Sequence, residues 1–397
     1  MEKILIWFEK KSLKPEGGPA GYLYNLNSFI EKRNITNISY KPKFKKIGKL
    51  KKKLKRYFYK KICNKQNYNK KELLMSLKVY EKINEEKLEN FKLVHFHDTK
   101  ELFKNNDKIR GIKILTSHSP QLRSLEELET LYDKETLEKE KKFVEEYKKY
   151  DYIAFEKADY IIFPCVEAME PYEKDIVVKK ILKKKLNEKR IKFLLTGIEY
   201  KEIQRDEEYF YKKYNIPKGS IVVTYIGRHN EIKGYDILVK AGKILLEKYE
   251  NLYFIIAGKE NEKIEKISHP RWKEIGWTKE GFNLMKNCDL FILPNRETYF
   301  DLIFLELLSQ NTTILCSETG GNKYFKKYNS EKINFFESEN IDSLVFQFEK
   351  LYSNLKELKE NNSNEKIYFE NFTLDIFGEN YLKIIEEIIK ENKSAKI

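Results

Sequence analysis

Residues 289–325 read DLFILPNRETYFDLIFLELLSQNTTILCSETGGNKYF, and their pattern decides the fold. Leu290 to Leu293 are a short, continuous apolar run, which suits a strand covered on both faces of a parallel sheet. Pro294 to Glu297 make a polar turn, and a helical pattern carrying Glu306 follows. A second apolar run, Thr313 to Cys316, leads into Thr319-Gly320-Gly321-Asn322. A Gly-Gly turn that opens a helix offers bare backbone N–H groups and the positive end of a helix dipole, a seat for phosphate. Glu306, on the preceding helix, would face the same crevice and accept hydrogen bonds from sugar hydroxyls. Phosphate at one end and hydroxyls at the other describe a nucleotide-sugar pocket.

The same alternation extends in both directions. Ile221 to Ile226 reads as a strand with Gly227 and Arg228 at its C-terminal end, and Lys233-Gly234 precedes a helix. An Arg and a Lys five residues apart beside a strand end would neutralise a departing pyrophosphate. YFIIAGKE is the next strand, closed by Gly258. Ile341 to Lys359 is expected to be one charged helix, and Phe372 to Ile389 an amphipathic one. In the first half, Lys3 to Phe8 is a strand, followed by Gly17-Gly18 and a helical pattern from Tyr22. That glycine pair lacks the G-x-G-x-x-G spacing of a dinucleotide fingerprint and reads equally well as a plain strand–helix turn.

Further strands end in His95, His97 and Asp98, and in His118 and Ser119. Doubly wound sheets hold ligands at strand C-terminal ends, so His118 is a candidate for direct contact with substrate. Purely structural histidines and a metal site from His95, His97 and His118 are the competing readings. Residues 123–150 are expected to be a charged surface helix pair, and 174–194 to be helical. Two Rossmann-like α/β domains facing each other across a cleft follow from the pattern.

The chain has 397 residues, 41% of them hydrophobic, enough for two cores and too ordered in composition for wholesale disorder. No apolar run is long enough to span a bilayer, and no signal peptide is expected. Cys63, Cys165, Cys288 and Cys316 lie far apart, as buried thiols of a cytosolic protein would. The net charge is +15, and residues 41–61, KPKFKKIGKLKKKLKRYFYKK, hold twelve Lys or Arg with no Asp or Glu. Any basic-surface function therefore belongs to that segment. Its apolar residues fall at roughly helical spacing, so Lys51, Lys52, Lys53, Lys55 and Arg56 would form the polar face of a helix on an anionic membrane. A solvated loop and a nucleic-acid patch are the alternatives, and no nucleic-acid-binding motif accompanies the segment.

The second half resembles the retaining nucleotide-sugar glycosyltransferases of family 4, which have the GT-B fold. The matching pieces are YIGRHNEIKGYDILVKA (225–241), FIIAG (254–258), IGWT (275–278), CDLFILPNRETYFDLIFLELLS (288–309) and TGGNK (319–323). They span about 100 residues in the family's order. The first half matches more loosely, through Gly17-Gly18, His97, His118 and ADYIIFP (158–164). The resemblance implies domains at 1–196 and 197–372, with a helix at 373–397 returning to the first.

It further implies that Arg228 and Lys233 bind the donor diphosphate and that Glu306 holds the ribose hydroxyls. Gly227, Gly258, Gly320, Gly321 and Asn322 would line the donor site, and Gly17 and Gly18 would approach its phosphate. His118 would hydrogen-bond the transferred sugar. The family's E-x7-E motif is broken: eight residues before Glu306 stands Thr298, and Glu297 stands nine before. Either Thr298 replaces the first carboxylate, or Glu297 still reaches the sugar.

The expected activity is metal-independent, retaining transfer from a nucleoside diphosphate sugar, most often UDP-linked, with no further cofactor. The acceptor would be a glycan or lipid-linked oligosaccharide in surface polysaccharide (capsule or lipopolysaccharide) synthesis in a bacterium. The enzyme would work in the cytoplasm, peripherally on the inner face of the membrane. A non-catalytic GT-B partner subunit and a GT-B epimerase or phosphorylase are the rival readings.

Overall fold

The computed structural model describes residues 2–8, 13, 18–41, 65–78, 88–259, 264 and 266–394. Gly17 and most of the basic segment, including Lys51 to Arg56, lie outside the described residues. The chain divides into two compact units. One comprises Met1–Phe163, Tyr172–Leu194 and Asn380–Ile397, the other Pro164–Pro171 and Leu195–Glu379.

The first unit is built on a six-stranded parallel sheet. Its strands are β1 (Ile4–Trp7), β2 (Ile38–Tyr40), β3 (Leu93–Phe96), β4 (Ile112–Leu115), β5 (Tyr160–Phe163) and β6 (Ile191–Phe193), in the order β2-β1-β3-β4-β5-β6. β1, β3 and β5 are buried at every residue, which is why they read as unbroken apolar runs. The chain turns back between β1 and β3, so the ends of these strands flank a topological switch point. From the last helix, Leu374–Ser394, Tyr381 reaches His95 and Glu391 reaches Tyr160 and Lys192.

Two expectations fail in this unit. Residues 174–194 are not all helical: the helix ends at Asn187, Lys189 takes a left-handed φ of 57°, and Ile191–Phe193 pairs with β5. The basic composition misled because β6 is a three-residue edge strand in which only Ile191 is buried. Residues 123–150 are not a surface pair either. Three helices, Arg123–Glu129, Lys134–Lys139 and Lys141–Lys157, occupy the region. Leu128, Tyr147 and Tyr150 from them are buried in a cluster with Leu73.

The second unit repeats the plan with β7 (Ile221–Ile226), β8 (Leu252–Ala257), β9 (Trp272–Gly276), β10 (Leu290–Leu293), β11 (Ile314–Ser317) and β12 (Ile333–Phe336). All pair in parallel, in the order β12-β11-β10-β7-β8-β9, so the switch point lies between β7 and β10. At the N-terminal edge of this pair, fully buried Asp289 accepts from Val222 N at 2.8 Å. Lys356 and Lys359 balance its charge at 3.0 and 3.2 Å. One face carries the main core, with Tyr225, Leu238, Phe254, Trp272 and Phe348. On the other, Phe304 stacks on Phe325 at 3.7 Å, and Phe300 and Phe372 close around them.

The single helix expected over Ile341–Lys359 is two, Ile341–Tyr352 and Leu355–Glu360, broken at Ser353-Asn354. β2, β9 and β12 were not legible as strands, being short or only partly buried sheet-edge segments. Among the described residues no helix is long and apolar enough to cross a membrane.

Candidate active site

In the second unit the turns after β7, β8, β10 and β11 converge at the C-terminal ends of the strands, around the switch point. They are held by backbone meeting backbone. Gly234 has φ 66°, and a Cβ there would lie 1.7 Å from Pro294 O. Cβ atoms on Gly320 and Gly321 would lie 2.0 and 2.1 Å from the carbonyl oxygens of Thr298 and Tyr299. Any side chain at these positions would drive the turns apart. Gly258 likewise packs against Gly227.

The expected cations sit on the β7 turn. Arg228 is exposed, and its carbonyl accepts from the Tyr225 hydroxyl at 2.9 Å. Asn230 Oδ1 accepts from Lys233 N at 2.9 Å, which shapes the turn ahead of the helix Tyr235–Lys248. Lys233 Nζ is not a bare cation: it lies 2.6 Å from Asp301 Oδ2. Arg296 fastens this turn to the one after β10. Its guanidinium grips Asp236 with two bonds of 2.6 and 2.7 Å and donates to the Glu231 carbonyl at 2.6 Å.

Glu306 lies mid-way along the helix Leu302–Ser309, half-buried, with its carboxyl pushed up to about 7 by burial and partly offset by Lys201. Of the two residues that compete for the broken motif position, Glu297 is half-buried. Thr298 is fully buried, and its Oγ1 has no hydrogen-bond partner. Asn322 is buried and donates its side-chain amide to Ser317 O at 3.1 Å, so that side chain is structural. Gly320 to Asn322 open a 3-10 helix, Gly320–Tyr328, in place of an α-helix.

Asp301 was missed in the sequence. It stands at the N-cap position of the helix Leu302–Ser309, where an Asp reads as a cap. Yet it makes no capping bond; its Oδ2 takes Lys233 Nζ and Asn295 Nδ2, the latter at 2.9 Å. A pairing across 68 residues leaves no trace in local sequence.

In the first unit, Gly18 has φ 72° with open space where its Cβ would be. His118 Nε2 lies 2.8 Å from His97 Nδ1, and the Tyr22 ring is 4.8 Å from the His118 ring. His95 turns to Thr116 and Tyr381 instead, at 2.8 and 3.2 Å. Burial pushes His95 and His118 down to about 3 and His97 well below its ordinary value, so all three are neutral imidazoles. Among the described residues no group of three His, Cys, Asp or Glu is arranged to hold a metal ion.

The chain is 27% identical over 195 residues to the N,N'-diacetylbacillosaminyl-diphospho-undecaprenol alpha-1,3-N-acetylgalactosaminyltransferase of Campylobacter jejuni. That match covers 46% of this chain and 49% of the relative, so the chain spans about half the length of the curated relative. In fold it is similar to Anabaena HepE solved with UDP-glucose, with a TM-score of 0.61 at 13% identity, covering 98% of this chain and 100% of that one. It is also similar to WaaG, a glycosyltransferase involved in lipopolysaccharide biosynthesis, with a TM-score of 0.59 at 14% identity over 96% and 99%. The two parallel-sheet Rossmann-like domains are those of the GT-B fold. Residues 206–368 match the family described as Glycosyl transferases group 1.

Proposed function

We propose that the protein is a retaining glycosyltransferase that moves a sugar from a nucleoside diphosphate sugar to a hydroxyl of a glycan or lipid-linked acceptor. The observation that carries the reading is the 2.6 Å bond from Lys233 Nζ to Asp301, which joins the turn after β7 to the one after β10 beside the switch point. There Glu306 would hold the ribose, and Arg228 and Lys233 would stabilise the diphosphate as the bond to the anomeric carbon breaks. The acceptor oxygen would bond to that carbon on the face the diphosphate leaves, passing its proton to the leaving phosphate oxygen. His118 would hydrogen-bond the sugar as this happens. Fixed side chains thus supply the charge and the positioning that lower the barrier.

UDP is the favoured nucleotide, supported by the UDP-glucose held by HepE. A lipid-linked acceptor is supported by the undecaprenol-linked substrate named for the Campylobacter relative. The lysine-rich segment 41–61 would hold the enzyme on the anionic inner face of the membrane. Vesicle pelleting should then require anionic lipid and fail in high salt.

The decisive experiment is a thermal-shift panel of UDP, GDP, ADP and their sugars on the wild type and on Glu306→Ala. Stabilisation by one nucleotide, abolished in the variant, fixes the donor class and the pocket together. No shift with any of them would sink the reading and favour a non-catalytic partner subunit.

A further inference from the structure

The broken motif leaves the pocket short of one carboxylate, and the structure supplies another. We propose that Asp301 is a group that takes hydrogen bonds from the hydroxyls of the transferred sugar. The inference rests on the reading of the pocket as a nucleotide-sugar site.

Residue 298 is tied through its backbone to the Gly320-Gly321 turn. Its side chain is buried with Oγ1 unmet, and its carbonyl lies against Gly320 and accepts from Gly321 N at 3.4 Å. Asp301 is bonded directly to Lys233, the expected diphosphate ligand. Asp301 is held by two donors, Lys233 Nζ at 2.6 Å and Asn295 Nδ2 at 2.9 Å, and both bond to Oδ2. Among the described residues no hydrogen bond reaches Oδ1. Asn295 is itself fixed, because its carbonyl accepts from Ser317 Oγ at 2.5 Å. The carboxylate is therefore aimed by a rigid shell, has one oxygen to offer, and is about one-fifth exposed like its lysine partner.

Position along the ligand follows from Lys233. If Lys233 binds the diphosphate, a carboxylate bonded to the same ammonium lies next to the atoms that follow the phosphate, and those are the sugar. Adjacent hydroxyls donate well to a carboxylate, and such charge-assisted bonds are the strong ones. Charge gives the arrangement a second consequence. A bare diphosphate brings negative charge beside Asp301, while a sugar hydroxyl placed between them satisfies the carboxylate. Asp301 thus favours the loaded donor over the spent nucleotide and helps product leave.

The test is calorimetric titration of the full chain with UDP and with UDP-glucose, UDP-N-acetylglucosamine and UDP-N-acetylgalactosamine, in the wild type and in Asp301→Asn. The expected result is a specific shift: UDP binds the variant as well or better, and the best sugar donor loses about tenfold relative to UDP. Asp301→Ala should give the same change of ratio, which guards against one variant folding poorly. If Asp301 merely steadies Lys233, UDP and UDP-sugar affinities change together and their ratio holds; that result overturns the proposal. A wild type that binds none of the four ligands fails earlier, by removing the nucleotide-sugar reading itself.

Discussion

His97 Nδ1 and His118 Nε2 are 2.8 Å apart, so one imidazole donates its proton to the other and their tautomers are locked together. His97 Nε2 is buried with no hydrogen-bond partner. A buried N–H without an acceptor is the worse of the two orphan states, so the proton of His97 belongs on Nδ1. His118 then accepts at Nε2 and carries its own proton on Nδ1, ready to donate.

The pair makes a prediction about substitution. His97→Asn keeps an N–H donor where Nδ1 stood, and His97→Phe does not. The phenylalanine variant should lose about tenfold in kcat/KM, the worth of one net hydrogen bond, and the asparagine variant should retain most of it. Nitrogen-15 shifts of His118 should report the Nδ1–H tautomer and stay constant between about pH 5 and 8, since both rings titrate far below their ordinary value. A His118 ring that protonates within that range would refute the assignment.

Glu306 should give a pH dependence of nucleotide binding. Its carboxyl is pushed up to about 7, and ribose hydroxyls donate best to the ionised form. Affinity should therefore rise as pH rises through about 7, with a proton released on binding. Glu306→Gln should bind weakly at every pH. For stability the sign is opposite to that of a paired carboxylate. The folded state holds this proton after the unfolded chain has lost it, so Glu306 weakens the fold as pH climbs from the ordinary carboxyl value to about 7. The melting-temperature gap between Glu306→Gln and wild type should widen in favour of the variant over that range.

Arg296 ties the turn bearing Lys233 to the turn after β10, through Asp236 and the Glu231 carbonyl. Arg296→Lys cannot make the two-pronged bond. It should cost about 1 kcal/mol of stability, because the pair is partly exposed, and weaken UDP binding as Lys233 loses its placement. Denaturant melts and UDP titrations would measure both. Unchanged UDP affinity would separate the two turns.

Gly234→Ala should be far more damaging than its size suggests. The new methyl group meets the Pro294 carbonyl in a turn with φ 66°, and both the clash and the backbone conformation oppose it. A loss of about 2 kcal/mol or more is expected in chemical denaturation, with activity falling in parallel.

The sheets were legible because their central strands are buried on both faces, and an unbroken run such as Leu290 to Leu293 has no competing interpretation as a surface helix. β2, β6, β9 and β12 carry fewer buried residues, so their apolar content gave no signal. Arg228, Lys233 and Glu306 stood out because each sits at a fixed offset from a strand end. The Asp301 carboxylate and the His97–His118 bond depend on segments brought together only by folding. Asp301 stands at an N-cap position yet makes no capping bond, so its local sequence carries no sign of the contact it does make.

The glycines at 234, 258, 320 and 321 each press against a carbonyl of a neighbouring turn. The rim of the pocket is consequently one mechanical part, with no slack for a turn to be reshaped alone. A lineage or an engineer seeking a new donor sugar must work by exchanging side chains that already project from this frame.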